Sequence, residues 1–316
     1  MKKFYLKCGL LALIFFSILV FLNARYVKTY AWKYQNDVEK FSHVPRNIQL
    51  ANFGSSHGLL DFDWSNAPYT TFNFSLTSQR HLFDFLLLQQ YSDHFAKDAV
   101  ALFLIEYFEI TSAVKEFPDE MPRYYRILDK QYIPDYRFTD GIRYKSFPIL
   151  SAGSNVIKIF RDSTAEYTVS SQWNVSMSSK PAEWVLQDAN HWYEAWITDA
   201  ESDEGYQYNQ KLLSEILDYC FSHNIQPVLV STPIASALNG VYAEKSPDFF
   251  NTFYRFSAEI CAEYPKVPYL DYSRDTRFSD DSLFFDTSHL NNSGTKLFTS
   301  IMIEDLEQLG LLTDQD

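Results

Sequence analysis

The sequence predicts an α/β fold, a three-layer α/β/α sandwich around a mostly parallel five-stranded sheet. Two observations lead to this prediction. Short apolar segments that suit buried strands alternate along the chain with longer amphipathic segments that suit helices. In addition, residues 99–106 form a continuous apolar run, which is typical of a strand that is covered on both faces.

The elements can be placed from their periodicity and their flanking residues. Strands are predicted at residues 47–53, 68–74, 99–106, 225–232 and 267–272. Helices are predicted at about residues 77–95, 207–224, 248–263 and 293–309. Residues 112–205 contain several prolines and a serine-rich patch, and we interpret them as a long irregular insertion rather than a second domain.

The N-terminus carries an apolar run at residues 8–22 that is preceded by three lysines. With its flanks the run reaches about 20 residues, which is enough for a membrane-spanning helix. We therefore expect residues 1–24 to be an uncleaved anchor with a cytoplasmic N-terminus, residues 25–45 a juxtamembrane stalk, and residues 46–316 an extracytoplasmic domain. The alternative is a cleaved signal peptide, whose cleavage motif (Leu22, Asn23, Ala24) would be a poor one.

Composition narrows the possible partners. The formal net charge of −13 argues against binding to nucleic acid, which requires a basic surface. The spacing of the three cysteines does not suit a metal site, and we expect neither a metal nor a cofactor. Cys220 and Cys261 are expected to be buried free thiols, with a disulfide between them as the alternative.

The first motif that carries chemistry follows the first predicted strand directly. Residues 52–58 read Asn-Phe-Gly-Ser-Ser-His-Gly. Glycines on both sides allow a sharp turn that exposes Ser56 at the strand end, where a nearby base could activate its hydroxyl. The alternative is a strand-to-helix turn that is merely capped by serine.

The second motif lies close to the C-terminus, where residues 285–291 read Phe-Asp-Thr-Ser-His-Leu-Asn. Asp286 and His289 are three residues apart, so the carboxylate can hold one ring nitrogen while the other nitrogen faces a serine. The alternative is a capped helix start.

With both motifs at opposite ends of a parallel α/β pattern, the chain resembles the SGNH (GDSL-like) hydrolase superfamily, a group with a flavodoxin-like sandwich. Its first block is G-D-S and its last block is D-x-x-H. The resemblance covers residues 46–110 and 207–310. It implies that Ser56 is the nucleophile, with His289 as its base and Asp286 as the residue that orients the base.

The Gly-Ser-Ser sequence resembles the membrane-anchored branch of that superfamily, which includes the D-alanyl-transfer protein DltD and the alginate O-acetylation proteins. This resemblance implies acyl transfer on a cell-envelope polysaccharide, beside a membrane-bound O-acyltransferase of the MBOAT class. The block-one aspartate is replaced by Ser55. The second-block glycine is replaced near Ser75, whose backbone N–H could still serve an oxyanion hole together with that of Ser56.

Four further residues are candidates for the oxyanion hole or the substrate cleft, namely Ser75, Asn73, His57 and Tyr107. The third-block asparagine has no clear counterpart, although Tyr107 or Asn190 could take its place. Two alternatives to a transferase remain open. One is a simple esterase with the same acyl-enzyme, and the other is a non-catalytic scaffold that binds the polymer or an acyltransferase.

Overall fold

The computed structural model describes residues 1–106, 110, 120–162, 164, 178, 180–197 and 203–312. Its helices and strands follow in this chain order: α1 (Lys2–Tyr26), α2 (Tyr30–Lys33), β1 (Ile48–Phe53), α3 (Ser56–Leu60), β2 (Thr71–Asn73), α4 (His81–Tyr91), β3 (Phe95–Leu104), α5 (Met121–Ile127), α6 (Phe138–Asp140), α7 (Lys158–Arg161), α8 (Ala182–Ile197), α9 (Asp203–Ser222), β4 (Ile225–Ser231), α10 (Ser236–Lys245), α11 (Phe249–Glu263), β5 (Tyr269–Asp271) and α12 (Asn292–Gln308). Two compact units contain them. Met1–His43 and Phe117–Gln172 form the anchor unit, and Val44–Glu116 and Trp173–Asp316 form the sheet unit.

The sheet unit is built on five parallel strands in the order β2-β1-β3-β4-β5. Helices connect the strands, so the predicted α/β class with a parallel five-stranded sheet is confirmed. In this strand order β2 lies on one side of β1, and β3, β4 and β5 are added on the other side. The direction in which successive strands are added therefore reverses between β1 and β3. Ligand sites of open parallel sheets lie at such a reversal, beyond the carboxyl ends of the strands.

Alternate side chains of the central strands enter two separate layers of the core. On one face, Leu50, Leu102 and Val228 are fully buried in a cluster that also contains Phe298 and Met302 of α12. This packing holds the C-terminal helix against the sheet, and it fixes the position of the loop that precedes α12.

The other layer is built largely from aromatic rings. The ring of Phe53 stacks on Phe74 at 4.7 Å and on Phe103 at 4.9 Å between centroids. Stacked rings of this kind supply much of the burial in a core. On α9, Cys220 is buried, whereas Cys261 on α11 is half-buried, and both are free thiols.

The interpretation of residues 112–205 as irregular was wrong in part, because α5 and α8 lie within them. In α8, Val185 and Ala189 are four residues apart and are both fully buried, as expected for the inner stripe of a helix. This helix belongs to the sheet unit, where it packs on α10 and near the loop before α12.

The anchor unit contains α1, which is the one helix in the described part of the chain that is long and apolar enough to span a membrane. Its 25 residues reach a mean hydropathy of 2.3 over 18 positions. Tyr26 at its end packs with Ala152 and Ile159. The guanidinium of Arg126 lies 3.4 Å from the centre of the Trp32 ring. The boundaries predicted after residues 24 and 45 remain predictions.

Candidate active site

The turn after β1 places Ser56 at the start of α3, at the reversal point of the sheet. Gly54 has a φ of 138°, which side chains with a Cβ rarely adopt. A Cβ at this position would also lie 2.5 Å from Leu104 Cδ1. The chain can therefore turn tightly over β3 only with glycine here, and the turn brings Ser56 above the strand ends.

Two asparagines hold this turn from below. Asn52 and Asn73 are neighbours in the paired strands β1 and β2. Both side-chain amides donate to the carbonyl of Gly58, at 2.8 and 2.7 Å. The Trp64 indole N–H completes the network by donating to Asn52 Oδ1 at 2.8 Å. Asn73 is thus buried in the support of the turn rather than in a substrate cleft.

Asp84 is an ionisable side chain of α4. Its carboxyl is fully buried and accepts a hydrogen bond of 2.6 Å from Gln79 Nε2. Burial raises the pKa of Asp84 to about 7, although the hydrogen bond from Gln79 opposes this.

We expect Asp84→Asn to weaken the decrease in the free energy of unfolding that the wild type shows as pH rises. Between about pH 4 and 7 the folded protein retains a proton on Asp84 that the unfolded chain has lost, so wild-type stability falls as pH rises. Asparagine mimics the protonated acid, and at pH 8 the variant should be more stable by up to about 4 kcal/mol. Thermal unfolding at pH 5 and pH 8 measures the difference. Equal pH slopes for both proteins would contradict the assignment.

The loop before α12 presents the second motif. Asp286 Oδ1 accepts the backbone N–H groups of Ser288 at 2.9 Å and of His289 at 2.7 Å. Two residues further on, Asn291 caps α12 through the N–H of Ser293 at 2.9 Å. The capping alternative therefore describes part of this motif, but it leaves the imidazole ring of His289 unexplained.

His289 connects Ser56 to Asp286. Its Nδ1 lies 2.9 Å from Asp286 Oδ2, and its Nε2 lies 2.9 Å from Ser56 Oγ. Burial alone would raise the pKa of Asp286, but hydrogen bonds and the charge of His289 lower it to about 2. An ionised carboxylate only accepts hydrogen bonds. Nδ1 therefore carries a proton, and in the neutral imidazole Nε2 accepts from the Ser56 hydroxyl.

A second histidine–carboxylate pair lies directly behind this chain of hydrogen bonds. The ring of His57 stacks on that of His289, with centroids 4.5 Å apart and planes 23° apart. His57 Nδ1 is in contact with Glu106 Oε1, and Ser55 Oγ donates to Glu106 Oε2 at 2.5 Å. Burial alone would lower the pKa of His57, but Glu106, with help from Asp61 and Asp286, raises it to about 9.

Asp61, the residue directly after α3, contacts the same region. Its Oδ1 accepts the backbone N–H of Leu290 at 2.8 Å. Burial raises its pKa well above the usual range, although the charge of His57 opposes this. Through His57 and Asp61, the helix that starts with Ser56 thus contacts both His289 and the peptide that follows it.

From the other side, α8 closes on the same loop. Asp188 accepts hydrogen bonds from Thr287 N at 3.3 Å and from Thr287 Oγ1 at 3.1 Å. The ring of Trp192 lies 6.4 Å from that of His289, at 66°. Trp192 is half-buried.

The structure brings Ser56, His289 and Asp286 together, whereas the other candidates occupy different positions. His57 is only 1% exposed and lies behind His289 instead of facing the cleft. Ser75 is fully buried, and its backbone N–H donates to Asn73 Oδ1 at 2.9 Å, so it is not available to an oxyanion. Tyr107 lies outside the described residues.

Asn190, the other stand-in considered for the third block, does not join the site. Its Oδ1 accepts from Lys245 Nζ at 2.7 Å, and its Nδ2 donates to the carbonyl of Leu186. Glu106 occupies the end of β3 instead. Glu106 is the last residue of the strand predicted at residues 99–106, and its sequence context carries no signal for the pairing with His57.

Comparisons with known proteins add little to this geometry. No family model matches the chain, and no curated protein matches it. Eleven chains of solved structures match. One is a Bacteroides fragilis protein that was provisionally described as an acylhydrolase, with a TM-score of 0.41 and 10% identity over 90% of this chain and 100% of that one. At this TM-score the match carries no argument about function.

Proposed function

We propose that the chain is a serine acyltransferase or esterase of the SGNH type. The observation that carries the proposal is the hydrogen-bonded chain from Ser56 Oγ through His289 to Asp286, with two contacts of 2.9 Å. Its members are 233 and 3 residues apart in sequence. A merely capped turn and a capped helix start have no reason to meet in this way.

In the first half of the reaction, Ser56 Oγ attacks the carbonyl carbon of an ester, and His289 Nε2 accepts the hydroxyl proton. The positive charge that forms on the imidazole is stabilised by Asp286. The tetrahedral intermediate then collapses. The bond to the leaving alkoxide breaks, the proton on Nε2 passes to its oxygen, and the acyl group remains on Ser56 as an ester.

In the second half, water or a sugar hydroxyl takes the place of the alcohol. His289 Nε2 accepts its proton as its oxygen attacks the acyl-enzyme, and the proton returns to Ser56 Oγ when the acyl bond breaks. Water gives a carboxylic acid, whereas a sugar hydroxyl gives a new ester. Such acid–base catalysis supplies about 10²–10⁴-fold.

The developing oxyanion requires donors near Ser56. The backbone N–H of Ser56 itself, at the start of α3, is the donor that we propose. The N–H of Ser75, which the sequence suggested as a second donor, is bound to Asn73. Since one oxyanion donor is worth about 10²–10³ in kcat, we expect a slower enzyme than one with a complete hole.

The substrate class follows from the family resemblance and from α1. We propose that α1 anchors the chain in the cell membrane with the N-terminus cytoplasmic, and that the sheet unit works outside the cytoplasm. The acyl groups are then O-acetyl or similar groups on a cell-envelope polysaccharide. An MBOAT-class acyltransferase is the proposed membrane partner, and neither a metal nor a cofactor takes part.

An assay with an acetylated envelope polysaccharide tests this proposal. The full-length chain in detergent is incubated with the polymer, with and without a non-acetylated acceptor glycan. Free acetate alone identifies an esterase, and acetyl groups on the acceptor identify a transferase. The proposal is wrong if neither product exceeds that of Ser56→Ala.

The second candidate is a non-catalytic scaffold, and the unavailable Ser75 N–H favours it. A scaffold would keep its function in cells without a nucleophile. Polymer acetylation in cells that carry Ser56→Ala therefore separates the two. Unchanged acetylation identifies a scaffold, whereas a loss at normal protein abundance identifies the enzyme.

We further expect Glu106→Gln to lower kcat about 10- to 100-fold with little change in KM. Without the carboxylate, burial disfavours the charged form of His57, and the ring against which His289 rests loses its fixed position. The wild type should also lose activity above about pH 9, where His57 loses its proton, and this step should be absent from the variant. Steady-state kinetics between pH 6 and 10 measure both.

Glu244→Gln, on the exposed side of α10, is the matched control for that experiment. It removes the same charge far from the ring stack in sequence and should leave kcat and the pH profile unchanged. A Glu106→Gln enzyme that differs from wild type only in KM would contradict a positioning role.

A further inference from the structure

The anchor unit exposes large apolar side chains that a water-soluble surface would bury. Phe160 is 80% exposed, Phe138 73% and Leu150 50%, and Val156 and Ile157 are each more than 40% exposed. Four of these five lie within residues 150–160. Scattered single apolar residues are normal on surfaces, but a group within one short segment indicates an interaction surface.

This segment is held against the membrane-spanning helix. Asn23 Nδ2 donates to the carbonyl of Ser146 at 3.2 Å, and Asn23 Oδ1 accepts the N–H of Ile149 at 3.3 Å. The rings of Phe147 and Phe16 are 6.0 Å apart. Phe16 lies seven residues before Asn23, which corresponds to about 10 Å along the helix. If α1 crosses the bilayer, Phe147 therefore reaches the level of the hydrocarbon.

The basic residues near these exposed apolar side chains indicate the kind of partner that covers them. Residues 136–162 contain five basic and two acidic residues, whereas the whole chain has 27 Lys and Arg against 40 Asp and Glu. Lys158 and Arg161 line an open cavity of about 600 Å³ together with Tyr30, Tyr34 and Asp162, just after the end of α1. Asp162 Oδ1 lies 3.8 Å from Lys158 Nζ, and its Oδ2 accepts the backbone N–H of Ala31. Cations beside exposed aromatic and aliphatic groups are typical of helices that lie in the interface of an anionic bilayer.

We propose that residues 147–161 form an interfacial segment that enters the lipid bilayer beside α1. Leu150, Ile157 and Phe160 lie among the acyl chains, and Lys158 and Arg161 bind the phosphates of anionic lipids. The anchor unit then holds the membrane through two elements, α1 and this segment. The proposal rests on α1 spanning the membrane and is independent of the reaction at Ser56.

Fluorescence quenching in vesicles tests this proposal. Cys8, Cys220 and Cys261 are first replaced, and the full-length chain then receives a single cysteine by Phe160→Cys or Ile157→Cys, which carries an environment-sensitive fluorophore. Both positions are exposed, so the label does not disturb the core. Gln131→Cys, an exposed polar position of the same unit, is the matched control.

In vesicles with anionic phospholipid, labels at 157 and 160 should be quenched by nitroxide-bearing lipid and protected from aqueous iodide. A label at position 131 should behave in the opposite way, with strong quenching by iodide and weak quenching by nitroxide-bearing lipid. Lys158→Glu with Arg161→Glu, or purely zwitterionic lipid, should shift the labels at 157 and 160 towards iodide.

Iodide access at both 157 and 160 in anionic vesicles would overturn the proposal. If those labels were open to iodide in vesicles yet protected in native membranes, a membrane protein would cover the segment instead of lipid. Insertion that does not respond to lipid charge would overturn the assigned role of Lys158 and Arg161.

Discussion

Ester hydrolysis by the Ser56→Ala variant will be slower than that of the wild type by about 10⁴–10⁶ in kcat. Loss of the nucleophile removes the acyl-enzyme route, and what remains is substrate binding and the N–H at residue 56. Hydrolysis of an activated acetyl ester by the full-length protein in detergent measures the rate. His289→Ala should cause a similar loss, and the double variant should be no worse than either, since the two residues act as a unit.

The matched control for this experiment is Ser65→Ala, which removes an exposed hydroxyl from the loop after α3. It should retain wild-type activity. A Ser56→Ala protein that keeps more than a tenth of the wild-type rate would contradict the assignment of the nucleophile. Melting curves of all variants show whether a loss of activity reflects a loss of folded protein.

Asp286→Asn will lower kcat by about 10⁴ while leaving the fold intact. The asparagine Oδ1 can still accept the N–H groups of Ser288 and His289. Its amide then offers N–H to Nδ1 of the imidazole, so the ring proton moves to Nε2. A protonated Nε2 cannot accept the proton of Ser56, and the serine stays unactivated. Steady-state kinetics at pH 8 measure the loss.

Asp280→Asn provides the matched control for Asp286. Asp280 also accepts a backbone N–H two residues further on, that of Ser282 at 2.9 Å, but it contacts no histidine ring in the described structure. Its replacement should leave kcat unchanged. If Asp286→Asn lost less than about tenfold, or if both variants lost the same activity, Asp286 would be a turn residue only.

The fold could be predicted because its central strands contain short apolar runs that are recognisable in the sequence. β3 ends in an apolar run at residues 99–104, β4 has an apolar run at residues 228–230, and the amphipathic helix α9 directly precedes β4. The two motifs could be placed because each lies directly beside a predicted element. Ser56 follows β1, and His289 comes just before α12.

The rest of the site depends on contacts that sequence spacing does not encode. His57 adjoins the nucleophile in sequence, which predicts a position in the substrate cleft. Its ring turns inward because Glu106, 49 residues further on, provides a buried counterion. The sequence suggested the backbone N–H of Ser75 as an oxyanion donor, but in the structure this N–H donates a hydrogen bond to the side chain of Asn73. The position of the His57 ring and the hydrogen bond of the Ser75 N–H both depend on how the ends of β1, β2 and β3 pack together.

The unit to which residues 120–162 belong could not be predicted from the sequence either. Their prolines and short helices gave no strong periodicity, and the sequence offered no reason to join them to the N-terminal segment. In the structure, residues 120–162 pack with residues 1–43 through particular contacts, such as Asn23 with Ile149 and Ala31 with Asp162. Such pairings between distant polar side chains and backbone groups leave no pattern in either segment alone.

The central claim is that Ser56 is an activated nucleophile, and covalent labelling tests it most directly. The full-length protein in detergent is treated with a fluorophosphonate probe, beside Ser56→Ala, His289→Ala and the Ser65→Ala control. We predict labelling of the wild type and the control, and none of the other two. Folded wild-type protein that stays unlabelled, or labelling that survives the loss of Ser56, would contradict the account.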